Sequence, residues 1–206
     1  MSGLFITMEG TDGAGKSTQL DLLNKYLKDK GFNVVFVREP GGTKISEKIR
    51  NIILDIDNKE MNYMTEAFLY ASSRTQLVNE VIIPELKKGS VVICDRFVDS
   101  SIVYQGIARN LGVEVVRKIN NIATGGLIPD ITFFLDLSPD KAIERKKEQK
   151  ELDRLEREKS QFYNKVYEGY KMLIEEEGER IKVIDATQSI EVIHNNIVNY
   201  LENLFF

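Results

Sequence analysis

Glu9-Gly10-Thr11-Asp12-Gly13-Ala14-Gly15-Lys16-Ser17-Thr18-Gln19-Leu20, EGTDGAGKSTQL, decides how this 206-residue chain folds. It fits G-x-x-x-x-G-K-[ST] through Gly10, Gly15, Lys16 and Ser17, the pattern of a phosphate-binding loop (P-loop) at 10–17. The apolar run Leu4–Met8 precedes it and an amphipathic stretch, Gln19–Lys30, follows. Strand, glycine-rich turn and helix in this order gather backbone N–H groups around an anion, with the positive end of the helix dipole behind them. Lys16, expected to be little buried, then reaches the outer phosphates, and Ser17 offers its hydroxyl to Mg²⁺. A chance glycine-rich turn would lack the flanking strand and helix.

Working outward, Asn33–Val37 reads as a second strand, so the chain opens with a βαβ unit whose carboxyl end carries Arg38-Glu39-Pro40-Gly41-Gly42. Further strands are expected at Val91–Cys94, Ile131–Asp136 and Ile181–Asp185. Helices are expected over Ile45–Leu54, with Ile45, Ile49, Ile52 and Ile53 on one face, and over Thr65–Leu86, bent or ended near Pro84. Others are expected over Val113–Ala123, from the Ser138 cap and Pro139 onward, over Gln161–Glu177 with a Phe162, Val166, Tyr170 stripe, and over Ile190–Leu204. Alternating strands and helices without a linker or repeat predict one α/β domain spanning 1–206.

Composition narrows the function. Hydrophobic residues make up 42% and charged residues 29%, ordinary for a soluble protein, and the formal net charge of -4 gives no general attraction to nucleic acid or anionic membrane. A phosphate site must therefore be built locally. One cysteine, Cys94, and one histidine, His194, exclude an internal disulfide and thiolate or histidine metal clusters. No export signal and no membrane span is read, which leaves the cytoplasm as the expected location.

A P-loop names the ligand and not the reaction. No N-K-x-D motif is present, and the third strand runs into Asp95-Arg96 instead of an Asp-Glu pair. Arg38, Arg50, Arg74 and Arg96 lie at strand ends or in the following helices, where guanidinium forks can hold a second phosphorylated substrate. Asp12 is unusual inside an anion cradle. It either shapes an Asx-turn or accepts from a sugar hydroxyl of the acceptor. The dense charge at 145–157 is either a solvated helix face or a lid whose arginines close on the transferring group.

These motifs, with YASSR at 70–74, DRF at 95–97, SSIVYQG at 100–106, IPDITFFLDL at 128–137 and IDATQ at 184–188, resemble the bacterial thymidylate kinase family in order and across almost the whole chain. The resemblance implies a P-loop NTPase three-layer sandwich: a five-stranded parallel sheet with helices on both faces and a short lid at about 140–160. It implies transfer of the ATP γ-phosphoryl group to dTMP with Mg²⁺, by a homodimer, in dTTP synthesis. By the same resemblance, Gly10, Thr11, Asp12, Gly13, Ala14, Gly15, Lys16, Ser17 and Thr18 hold ATP, Gln188 lines the adenine site, and Ser17 and Asp95 attend the metal. Arg38 and Arg96 hold the dTMP phosphate, and Asp12 faces its sugar. Glu39, Arg50, Ser100 and Ser101 complete the acceptor site. Tyr70 stacks on thymine, Arg74 and Gln105 read the base edge, and Tyr104 excludes a ribose 2′-hydroxyl. Relatives with an arginine inside the P-loop differ from this chain, so the catalytic cation must come from Arg145, Arg154 or Arg157. Another nucleoside-monophosphate or deoxynucleoside kinase, or a nucleotide-binding module without turnover, are the alternatives.

Overall fold

The structure, a computed structural model, describes residues 3–146, 153–155, 158 and 160–205. β1 (Leu4–Glu9) leads through the glycine-rich turn into α1 (Lys16–Asp29) and then β2 (Val34–Arg38). α2 (Lys44–Leu54), α3 (Tyr63–Leu77) and α4 (Ile83–Lys87) follow, before β3 (Val91–Asp95). α5 (Val98–Ser101) and α6 (Val113–Thr124) precede β4 (Ile131–Asp136). α7 (Pro139–Lys146), α8 (Ser160–Glu177), β5 (Ile181–Asp185) and α9 (Ile190–Phe205) complete the described elements.

The five strands form one sheet in the order β2-β3-β1-β4-β5, and every pair is parallel. β1, β3 and β4 are central and almost wholly buried, whereas the edge strands β2 and β5 are partly open. That is why the central strands read as continuous apolar runs. The sheet's order reverses direction beside β1. Its carboxyl end is therefore the switch point at which open parallel sheets receive ligands.

On one face Leu20, Leu23 and Leu27 of α1 and Ile193, Ile197 and Leu201 of α9 pack on Ile6, Ile93 and Phe133. On the other, Leu77 and Ile82 cover Phe5 and Val92, while Val166 and Tyr170 of α8 join Val103 and Phe134. The Phe162, Val166, Tyr170 stripe is buried as expected.

Three expectations need correction. The four isoleucines of α2 do not share a buried face: Ile53 is fully buried, but Ile45 and Ile52 are 51% and 48% exposed. The inward ridge of α2 is instead Ser46 and Ile53, seven residues apart, with Ser46 Oγ donating to Ser73 O of α3 (2.9 Å). The helix expected over Thr65–Leu86 changes character at Val78–Ile82, where the turns widen to π-helical before α4. Pro84 explains this, since it lacks an N–H and its ring crowds the preceding carbonyls of an α-helix. Finally, a helical stretch that the sequence reading left out runs from α5 through a π-helical segment, Ile102–Ala108. All of its residues from Ile102 to Gly106 are buried, so it has no polar face to show a helical period.

Candidate active site

The P-loop stands at the carboxyl end of β1. Gly10 has φ +142°, and a Cβ there would lie 2.9 Å from the Leu135 carbonyl oxygen, so both backbone angle and strand packing demand glycine. Gly15, at φ +93°, caps α1 from the left-handed region. Lys16 opens α1 and folds back over the loop, donating to Gly10 O and Thr11 O, both at 3.1 Å. It is only 7% exposed, which corrects the expectation of slight burial. Burial, then the nearby Arg96, pulls its ammonium pKa down, against the opposing pull of Asp12 and Asp95. Asp12, Gly13, Gly15, Lys16, Ser17 and Thr18 line a cavity of about 450 Å³, while Gly10, Thr11 and Ala14 build the loop behind them.

The acceptor-side candidates meet on the other walls of that cavity: Arg38, Glu39, Arg50, Tyr70, Arg74, Arg96, Ser100, Ser101, Tyr104 and Gln105. Arg96 follows β3 with φ +65°, a left-handed angle that a bulky residue adopts only when its surroundings enforce it. Its backbone N–H is held by Met8 O (3.0 Å), and its guanidinium donates to Asp12 (2.7 Å) and Ser100 Oγ (3.2 Å) and lies over the Tyr104 ring. Arg38 and Arg50 both donate to Pro40 O, at 3.0 and 2.8 Å, and Glu47 steadies Arg38. Burial, then Arg38, lowers the pKa of Arg50. The Tyr104 hydroxyl is buried without a hydrogen bond of ordinary geometry, and burial pushes the phenols of Tyr70 and Tyr104 up.

Glu9, unassigned by the sequence reading, organises the turn after β3. It is fully buried and accepts from Phe97 N (2.7 Å), Ser100 Oγ (2.5 Å) and Tyr170 Oη (2.7 Å). Burial, then Asp99, raises its pKa. A carboxylate ending an otherwise apolar strand was the available signal.

Arg74 is more heavily engaged with the protein than the sequence reading expected. It lines the cavity, but its guanidinium makes four hydrogen bonds to the protein, from Nε to Glu39 (2.7 Å), from Nη1 to Ser101 Oγ (3.0 Å) and Asn120 Oδ1, and from Nη2 to Phe97 O (3.0 Å), and Nη2 also forms an ion pair with Glu39 (2.5 Å). With four of five donors in hydrogen bonds, a base carbonyl meets a guanidinium already largely committed to the protein. These bonds brace the wall of the cavity. Its partner Glu39 has a pKa raised to about 7, because burial outweighs the charge of Arg74.

The lid candidates separate. Arg145 lines the cavity and donates to Ala186 O (3.0 Å). Arg154 does not face it: its side chain donates to Ile53 O (2.8 Å) and Glu66 (2.6 Å), because the fully buried Glu66 carboxylate captures it. Arg157 lies outside the described residues. Gln188 also stays off the cavity, donating to Asp185 (2.8 Å). Among the described residues no cluster of three or more His, Cys, Asp or Glu side chains could hold a metal by itself. Asp95 lines the cavity, and its buried Oδ1 has no hydrogen-bond partner. That fits a magnesium ion held by one or two protein oxygens and substrate phosphates.

An anion cradle on one wall, converging guanidiniums on another and aromatic rings between them define a P-loop phosphotransferase with separate donor and acceptor sites. A family model described as "Thymidylate kinase" matches residues 8–197. The chain is 50% identical over 202 residues to the thymidylate kinase of Caldanaerobacter subterraneus subsp. tengcongensis, covering 98% of this chain and 96% of the relative. It is 48% identical to that of Thermoanaerobacter sp. (strain X514), covering 98% of each. The crystal structure of thymidylate kinase from Ehrlichia chaffeensis superposes with a TM-score of 0.80 at 30% identity, covering 98% of this chain and 99% of that one. This chain belongs to the thymidylate kinase family.

Proposed function

We propose that this chain transfers the γ-phosphoryl group of ATP to dTMP, giving ADP and dTDP for dTTP synthesis. The observation that carries the reading is the single cavity joining Lys16 and the P-loop to Arg38, Arg50, Arg96, Tyr70, Tyr104 and Gln105. The acceptor's phosphate oxygen is already anionic, so no general base is needed. It attacks the γ-phosphorus as the bond to the β,γ-bridging oxygen breaks. Catalysis is then alignment of the two nucleotides and neutralisation of charge. Lys16 and the loop N–H groups hold the donor phosphates, Arg38 and Arg96 the acceptor phosphate, and Arg145 supplies the further cation from the lid segment of about 140–160. Tyr70 stacks on the base, Gln105 meets its edge, and Tyr104 occupies the space of a 2′-hydroxyl. Ser17 and Asp95 would hold Mg²⁺, which when bound neutralises phosphate charge.

The enzyme acts as one domain in the cytoplasm and as a homodimer. Support for pairing comes from the apolar side chains left open on neighbouring helices: Ile45 and Ile52 of α2, Phe68 of α3 and Ile122 of α6, the last 82% exposed. No helix among the described residues is long and apolar enough to cross a membrane. The test is a coupled assay with ATP, Mg²⁺ and a panel of monophosphates. kcat/KM should be highest for dTMP, lower for dUMP and far lower for dCMP. Equal turnover of dCMP and dTMP would overturn the assignment.

A further inference from the structure

Glu66 lies in the first turn of α3, fully buried and outside the phosphate machinery. Its Oε1 accepts from Gln105 Nε2 (2.9 Å) and Arg109 Nε (3.3 Å); its Oε2 accepts from Arg154 Nη2 (2.6 Å) and Arg109 Nη2 (3.4 Å). Arg109 is itself fixed, with its guanidinium 4.6 Å from the ring centres of both Tyr63 and Phe162 and a 2.6 Å bond to Glu158. A carboxylate held by two guanidiniums only accepts hydrogen bonds. A glutamine amide, by contrast, carries a donor end and an acceptor end that differ little in shape. The partner therefore decides which end points where.

We propose that Glu66 is a positioning residue for base recognition: it commits the Gln105 NH₂ group to itself, so that the Gln105 carbonyl oxygen is what the acceptor cavity receives. The inference rests on the dTMP reading of that cavity and adds how the base edge is told apart. Gln105 lines the cavity, is 1% exposed and sits in the π-helical segment, so its side chain has no solvent to turn into. No described group donates to its Oε1. An acceptor in this place suits the ring N3–H of thymine or uracil and opposes cytosine, whose N3 carries a lone pair. The discrimination is between imide and amino pyrimidines and is blind to the thymine methyl.

Glu66→Gln keeps the shape but can donate as well as accept, which lets the Gln105 amide turn over. Steady-state kinetics with dTMP and dCMP would be compared for the wild type, Glu66→Gln, Gln105→Ala and the double variant. The dTMP to dCMP ratio of kcat/KM is expected to fall by about tenfold or more in Glu66→Gln, mainly through KM for dTMP, with no further fall on adding Glu66→Gln to Gln105→Ala. Equal losses for both acceptors would overturn the proposal, since a purely structural role lowers the two together. A ratio that falls in Gln105→Ala and stays fixed in Glu66→Gln overturns the role of Glu66 alone. A ratio unmoved by Gln105→Ala removes the base-edge role of Gln105, and this inference with it. Should Glu66→Gln not fold, side-chain amide NMR of the wild type decides the matter. One Gln105 Nε2 proton, assigned by its loss in Gln105→Ala, should be displaced well downfield by the carboxylate, and an ordinary pair of shifts would refute the arrangement.

Discussion

Replacing Arg74 by Gln should damage stability before it damages chemistry. The side chain is 1% exposed and joins the end of β2 through Glu39, the turn after β3 through Phe97 O, α5 through Ser101, and α6 through Asn120. Glutamine can replace one or two of these bonds and none of the charge. At pH 8, where Glu39 is ionised, breaking this buried ion pair by removing one partner costs about 3–5 kcal/mol. For a chain of this length the unfolding entropy near Tm is about 0.4 kcal/mol per degree, so Tm should drop by about 7–12 °C. Arg74→Lys, which keeps the charge for Glu39 but loses the fork, should fall between. Thermal unfolding followed by circular dichroism, with and without dTMP, is the assay. A Tm within about 2 °C of wild type, together with a large selective loss of dTMP turnover, would show that Arg74 reads the substrate instead of bracing the wall.

Arg145→Ala should lower kcat by roughly 10³ with little change in dTMP affinity, following arginine-finger precedent, and a kcat within a few-fold would remove Arg145 from catalysis. Tyr104→Ala should narrow the preference for deoxy over ribo acceptors by about tenfold or more, read as a ratio of kcat/KM values; an unchanged ratio would mean that the ring does not meet the sugar. Glu39 gives a pH test. Its folded pKa of about 7 lies above the ordinary carboxylate value of 4.5, so folding favours its protonated form. The stability it contributes is complete below the unfolded pKa and is lost as pH rises through about 7. Between pH 5 and pH 8 the wild type should therefore lose up to about 3 kcal/mol more unfolding free energy than Glu39→Gln, measured in urea, and parallel curves would contradict this.

The sequence carried the strands and the phosphate loop because both depend on local signals. Central parallel strands must be apolar throughout, and the loop must place glycine where φ is positive. The meeting of Arg38 and Arg96 on one cavity was legible because Arg38 ends β2 and Arg96 directly follows β3, so that the sheet alone carries them to one side. What stayed hidden is set by partners distant in the chain. Arg74 and Arg154 look like free guanidiniums until Glu39 and Glu66, 35 and 88 residues away, claim them. Tyr104 and Gln105 were picked out without their helix, because burial on all sides of Ile102–Gly106 erases the periodic pattern that reveals one.

Asp12 holds Arg96 at 2.7 Å and stands 3.7 Å from Lys16, joining the donor and acceptor halves of the cavity through one carboxylate. Filling the cavity is then an exchange of anions and not a simple addition. On the proposed reading, the dTMP phosphate would take Arg96 from an internal counter-ion, Asp12, that it must displace. Dissolved salt weakens the pair that breaks as well as the pair that forms, so dTMP binding should respond to ionic strength less steeply than the number of facing arginines implies. Calorimetric titration over a range of KCl concentrations measures that slope, and Asp12→Asn should steepen it.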